Sequence, residues 1–114
     1  MDFRELFEHQ LESQVERGAS RPADRPDTER MEYLRTQALG AVAELMEALD
    51  ENGLKPWKRE GFGETRAFFM GEEIADVIVF VTNMALAAGL TADDIDGALR
   101  RTFLKNSFRQ KSGY

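Results

Sequence analysis

The sequence predicts an all-α fold in a single domain over residues 1–114, and three observations carry that reading. Apolar residues recur at three- and four-residue spacings, the period of one face of an α-helix. No segment alternates apolar and polar residues as a half-buried strand does. Glycines, prolines and capping residues punctuate the chain at intervals that suit helices joined by short connections. The expected architecture is a bundle of four to five helices completed by dimerisation.

Each element follows from its own residues. Residues 2–17 form a short amphipathic helix carrying Phe3, Leu6, Phe7, Leu11 and Val15. Residues 18–27 read as a loop broken by Gly18, Pro22 and Pro26. Asp27 or Thr28 caps a second helix that runs to about Glu51, with Met31, Leu34, Ala38, Val42, Leu45 and Leu49 on its apolar face. Asn52-Gly53 ends it. Residues 54–71 read as a connector rich in Lys, Trp, Gly and aromatics, and a third helix covers residues 72–88 and stops at Gly89. Thr91-Ala-Asp-Asp94 resembles a capping box, with Asp in place of the usual Glu, opening a fourth helix to about Arg109.

Composition narrows the function. Fifteen bases against 21 acids leave a net charge of −6, which argues against general nucleic-acid binding. The charge is uneven: from Gly97 to Tyr114 there are five bases (Arg100, Arg101, Lys105, Arg109, Lys111) and no acids. A basic helix C-terminus suits the helix dipole, and a basic segment also suits phosphate. The absence of cysteine excludes disulfides and thiolate metal sites and fits a cytoplasmic protein. No long uncharged apolar run or signal-peptide pattern is present, so the expectation is a soluble protein with no membrane partner.

Two pairs of acids stand out, Glu44-Leu-Met-Glu47 and Glu73-Ile-Ala-Asp76. Residues three apart share a helix face, so two such pairs brought together place four carboxylates around one spot. Repulsion of that kind is commonly relieved by Mg²⁺ or Mn²⁺ in an all-oxygen site. On the second helix, Gln37, Gly40, Glu44, Glu47 and Glu51 form a stripe nearly opposite the apolar face, the pattern of a solvated surface. The third helix differs, because residues 74–90 hold only Asp76, Thr82 and Asn83 as polar side chains. A helix apolar nearly all round is expected to be buried, and a buried carboxylate needs a partner or a cation. Glu73, Asp76, Phe80, Asn83 and Ala87 share one stripe, which suits metal binding at one end and stacking and hydrogen bonding of a base at the other. The plainer alternative is an Asp and an Asn hydrogen-bonded inside a bundle core. A di-iron bundle is excluded, since it needs Glu-x-x-His motifs and the single histidine, His9, sits on the surface of the first helix.

At these residues the chain resembles the all-α nucleoside triphosphate pyrophosphohydrolases, the superfamily of MazG proteins and dimeric dUTPases. That family carries Glu-x-x-Glu, a connector, then Glu-x-x-Asp, matched here by Glu44/Glu47 and Glu73/Asp76. The ending Lys105-Asn106-Ser-Phe-Arg109-Gln110-Lys-Ser-Gly113-Tyr114 and the connector Leu54-Lys-Pro-Trp57-Lys58 resemble the dimeric dUTPase branch. The resemblance spans roughly residues 31–114 and implies Mg²⁺, with Mn²⁺ as a substitute, held by Glu44, Glu47, Glu73 and Asp76. It implies Glu47 as the base towards water and hydrolysis of a nucleoside triphosphate to the monophosphate and pyrophosphate. Lys105, Asn106 and Arg109 would meet the phosphates and sugar, Phe80 would stack on the base, and Asn83 and Gln10 would reach its edge. Trp57 would close the pocket with Lys58 near phosphate, although core packing accounts equally for Trp57, and an exposed polar position accounts for Gln10 better than a base contact does.

The implied substrate is a deoxynucleoside triphosphate, dUTP first. The chain is more compact than the dimeric dUTPases and nearer the MazG-like size, which admits dCTP or a modified deoxynucleotide as alternatives. A small chain with apolar helices is expected to form a homodimer or a dimer of dimers. The competing reading from another class is a non-catalytic helical dimer acting as a binding or regulatory module.

Overall fold

The computed structural model describes residues 1–18, 20–51 and 64–113, and these form four α-helices and one short 3-10 turn. The all-α class predicted from the periodicity is what the chain adopts: no strand occurs among the described residues. Helix α1 is Phe3–Gly18, α2 is Asp27–Glu51, α3 is Glu64–Ala87 and α4 is Ala92–Lys111. The 3-10 turn, Pro22–Asp24, lies inside the segment read as a loop. Among the described residues no single helix is long and apolar enough to cross a membrane.

The helix ends follow capping chemistry. Asp2 accepts the Glu5 N–H at 2.9 Å and so caps α1. Neither Asp27 nor Thr28 caps α2. The Arg30 N–H instead bonds the Pro26 carbonyl at 2.9 Å, which puts Asp27 and Glu29 in the first turn, where carboxylates favour the positive end of the helix dipole. Gly89 ends α3 as expected. Its φ of +80° is a left-handed conformation that glycine adopts without a Cβ clash, and it lets Leu90 N–H reach the Ala85 carbonyl at 2.9 Å. The Thr91–Asp94 capping box is complete: Thr91 Oγ1 accepts the Asp94 N–H at 3.1 Å, and Asp94 Oδ2 accepts the Thr91 N–H at 2.9 Å. The predicted helix end at Asn52-Gly53 lies outside the described residues.

Helix α3 begins about two turns earlier than predicted, so residues 64–71 belong to a helix and not to the connector. Gly71 is the reason for the difference. Read in sequence it marks a break, but it sits exposed within the helix with nothing within 4 Å of the place a Cβ would occupy. An interior glycine costs about 1 kcal/mol relative to alanine, which does not interrupt a 24-residue helix.

The main packing is α2 against α3. The two run antiparallel in a register where Gln37 meets Asn83 and Gly40 meets Phe80, with Glu44 and Glu47 gathered at Glu73. Ala41 and Ala48 of α2 and Ala85 of α3 are buried. A second cluster ties α1 to the far end of the hairpin: Phe7, Ala85 and Leu86 are buried, with Leu11, Ala92 and Ile95 packed against them. Arg30 Nε donates to the Ala87 carbonyl at 2.5 Å and Tyr33 donates to Gln14 Oε1 at 2.6 Å. Arg25 stacks 5.0 Å from the Tyr33 ring centre. Partial burial pushes the Tyr33 hydroxyl above its ordinary value, and the positive charges of Arg25 and Arg17 oppose that shift.

The third helix is not buried on most sides within one chain. Ile74, Ile78 and Val81 are 49%, 41% and 45% exposed. The apolar face of α2 is also open to solvent, since Met31, Val42, Leu45, Met46 and Leu49 are exposed. The stripe read as a solvated face is the one turned towards α3: Gln37, Gly40 and Glu44 are all half-buried. The polarity of the hairpin is thus inverted relative to a lone amphipathic helix, with polar groups at the helix–helix seam and an apolar surface outside.

Candidate functional site

The seam between α2 and α3 is layered. At the end nearest the helix connection, the carboxylate oxygens of Glu44, Glu47 and Glu73 lie within 4.8 Å of one another. Glu44 and Glu73 are half-buried and Glu47 is exposed. The three come from two helices, and Glu44 and Glu47 share a face because they stand three apart. This trio joins one sequence-predicted pair to half of the other.

Asp76 is the correction. It is exposed, and it stands outside the trio, one turn along α3 from Glu73. Within a single chain burial does not oblige Asp76 to find a cation, because the helix expected to bury it keeps much of its surface in solvent.

The middle layer is aromatic. Phe80 is half-buried and lays its ring against the backbone of α2 at Gly40. A methyl group placed on Gly40 would clash with Phe80 Cε1 and stand 2.8 Å from Cδ1 and 2.9 Å from Cζ. Only glycine lets the ring approach that closely, so Gly40 belongs to the site although sequence reading set it on an outer stripe. A glycine in the middle of a long helix, on the same stripe as three glutamates, was the available signal.

The third layer is made of amides. Gln10 Nε2 donates to Asn83 Oδ1 at 2.9 Å, and Asn83 Nδ2 donates to Gln37 Oε1 at 2.9 Å. Asn83 is buried and Gln10 is half-buried, so the structure brings together the two residues expected at a base edge. Gln37 completes the line. From the amides to the acid trio the seam spans ten residues of α3, about 15 Å at the α-helical rise.

The remaining predicted residues sit elsewhere. Lys105, Asn106 and Arg109 are exposed on α4, whose first turns meet α1 and the end of α3 through Ala92 and Ile95, and none of the three is seen at the α2–α3 seam among the described residues. Trp57 and Lys58 lie outside the described residues. His9 is exposed, as expected of a surface residue.

Two concavities flank this seam. One, of about 310 Å³, lies beside the acids and is lined by Leu45, Ala48, Leu49, Met70, Ile74 and Val77 together with Glu73. The larger, about 410 Å³, lies at the opposite end, between α1, the 3-10 turn and the α3–α4 turn, with Phe7, Leu11, Pro22, Leu86 and Leu90 among its walls. Arg4 and Asp93 pair at 3.4 Å on its rim.

These three carboxylates, two half-buried and one exposed, offer only oxygen donors and a net negative charge, the donor type that hard divalent cations take. Comparison with protein-family models, with curated proteins and with solved structures gave no match for this chain.

Proposed function

We propose that the chain is a Mg²⁺-dependent nucleoside triphosphate pyrophosphohydrolase, with dUTP as the first-choice substrate: dUTP + H₂O → dUMP + pyrophosphate. The observation that carries this reading is the order of layers along one seam. Carboxylates for a phosphate-bound cation stand at one end, an aromatic ring lies in the middle, and amides able to read a base edge stand at the other. The span of about 15 Å is on the scale of an extended nucleoside triphosphate.

Under this reading Glu44, Glu47 and Glu73 hold Mg²⁺, with Mn²⁺ as a substitute, and Asp76 joins them on metal binding. When bound, the ion neutralises charge on the triphosphate and lowers the pKa of a water. Glu47, the most exposed of the trio, takes the proton from the attacking water. Phe80 supports the base, and Gln10 reads its edge with Asn83 behind it. Lys105, Asn106 and Arg109 serve the phosphates, Arg as a fork and Lys as a point charge. A second copy covers the open apolar faces of α2 and α3, giving a homodimer or a dimer of dimers. A broader MazG-like or dCTP-directed hydrolase uses the same parts, and the amide layer supports it as the second reading.

The test is pyrophosphate release from a panel of deoxynucleoside triphosphates at equal concentration with Mg²⁺. Activity on dUTP is expected, falling at least about 100-fold in Glu47→Gln and in Asp76→Asn. Full activity in both variants refutes the assignment. In parallel, millimolar Mg²⁺ is expected to raise the melting temperature of the wild type. An unchanged melting temperature together with an inert panel favours a non-catalytic helical dimer.

A further inference from the structure

Three side-chain amides from three helices form one hydrogen-bonded line. Gln10 on α1 donates to Asn83 on α3, and Asn83 donates to Gln37 on α2, each at 2.9 Å. Asn83, at the centre, is 4% exposed, so its amide depends on these neighbours. Gln10 and Gln37 are half-buried at the two ends.

An amide has two chemically distinct ends: the oxygen accepts and the NH₂ donates. Each link needs one of each, so the orientation of one amide dictates the next. In this arrangement Gln37 turns its oxygen to Asn83, Asn83 turns its oxygen to Gln10, and Gln10 turns its NH₂ inwards. The Gln10 oxygen is then directed away from the line. Turning all three amides together keeps both bonds and leaves the Gln10 NH₂ outward. Turning one alone sets donor against donor or acceptor against acceptor and leaves a buried group unpaired.

We propose that Gln37 is a positioning residue for base selection. Through Asn83 it sets whether Gln10 offers an acceptor or a donor to a bound pyrimidine. This inference rests on the pyrophosphohydrolase reading above. A 4-amino pyrimidine presents a donor at C4 and suits the Gln10 oxygen, whereas a 4-oxo pyrimidine presents an acceptor and suits the Gln10 NH₂. A relay made only of amides adopts either sense and serves both bases. A residue at position 37 that only accepts, or only donates, locks it.

The decisive comparison is Gln37→Glu against Gln37→Lys, at about pH 8, where both side chains are ionised. The measurement is the ratio of kcat/KM for dCTP to that for dUTP. A carboxylate accepts only, so Gln37→Glu points the Gln10 oxygen outward and raises the ratio about tenfold. An ammonium donates only, so Gln37→Lys reverses the line and lowers the ratio by a similar factor. Gln37→Met, uncharged and of similar length, falls between them. Loss of packing or of fold acts on both substrates alike and cancels in the ratio, so it does not produce opposite shifts. The dissociation constants of dCMP and dUMP, measured by calorimetry without metal, are expected to move in the same sense.

Ratios that stay fixed, or move the same way in both charged variants of an active enzyme, overturn the relay and leave the hydrolase reading intact. A wild-type chain inert on the whole nucleotide panel overturns both.

Discussion

Substituting Gly40 tests the layered seam most directly, because two known effects oppose each other there. Alanine is favoured over glycine in a helix interior by about 1 kcal/mol. If Gly40 faced open solvent, Gly40→Ala would therefore stabilise the protein by that amount. Here the added methyl stands 2.8 Å from Phe80 Cδ1 and 2.9 Å from Cζ, well inside van der Waals contact. Either the ring swings off α2 or the helices part, and overpacking of this kind costs about 1–3 kcal/mol. The net expectation is destabilisation of about 1 kcal/mol for Gly40→Ala, and more for Gly40→Val, whose branched side chain also loses helix propensity. Urea unfolding followed by circular dichroism at fixed protein concentration measures this from the midpoint. The pair Gly40→Ala with Phe80→Leu completes a cycle: with the ring gone, the alanine regains its helical advantage and the coupling amounts to about 1–2 kcal/mol. A stabilised Gly40→Ala, with no coupling to Phe80, refutes the packing of the ring on α2 and with it the middle layer of the site.

Other consequences follow from the same geometry. Asn83→Leu leaves Gln10 and Gln37 each without a partner and is expected to lower stability by about 2 kcal/mol, against a near-neutral effect at exposed Asn106, measured in the same unfolding assay. Thr91→Ala removes the capping box of α4 and is expected to cost about 1 kcal/mol. The cap also sets a pH dependence. Hydrogen bonds from the Thr91 backbone and side chain hold the Asp94 carboxyl below its ordinary value. A depressed folded-state pKa stabilises the protein above the unfolded pKa and is lost as pH falls through the folded one. The advantage of wild type over Asp94→Asn is therefore expected at pH 6 and to vanish below the ordinary carboxylate range, about 4, in melts across pH. Ile78→Lys places a charge on the open face of α3 and is expected to convert an oligomer to monomers in light scattering at micromolar concentration. A wild type that is already monomeric there refutes the use of that face.

The extent to which the fold was legible varies by element, for physical reasons. The stop at Gly89 and the start at Thr91 are local: each depends on a few adjacent residues and their backbone bonds, so sequence was sufficient. The start of α3 was missed because Gly71 and the neighbouring aromatics look like a connector, whereas neighbouring helical hydrogen bonds outweigh one glycine. The acid trio was half legible. Three-residue spacing puts Glu44 and Glu47 on one face, but only the antiparallel register brings Glu73 to them and leaves Asp76 outside.

What the sequence by itself determined is the class of the chain, the turn from Gly89 to Thr91 between its last two helices and the residue types available for chemistry, since periodicity and capping act over one or two turns. Tertiary structure decided which face of each helix is inside. An apolar stripe specifies that it wants cover, not whether that cover is another helix of the chain, and here α2 and α3 meet through Gln37, Gly40, Phe80 and Asn83 and leave their aliphatic faces open. The amide line from Gln10 to Gln37 is of the same kind. Its partners lie 73 and 46 residues apart, and only the docking of three helices brings them within 2.9 Å.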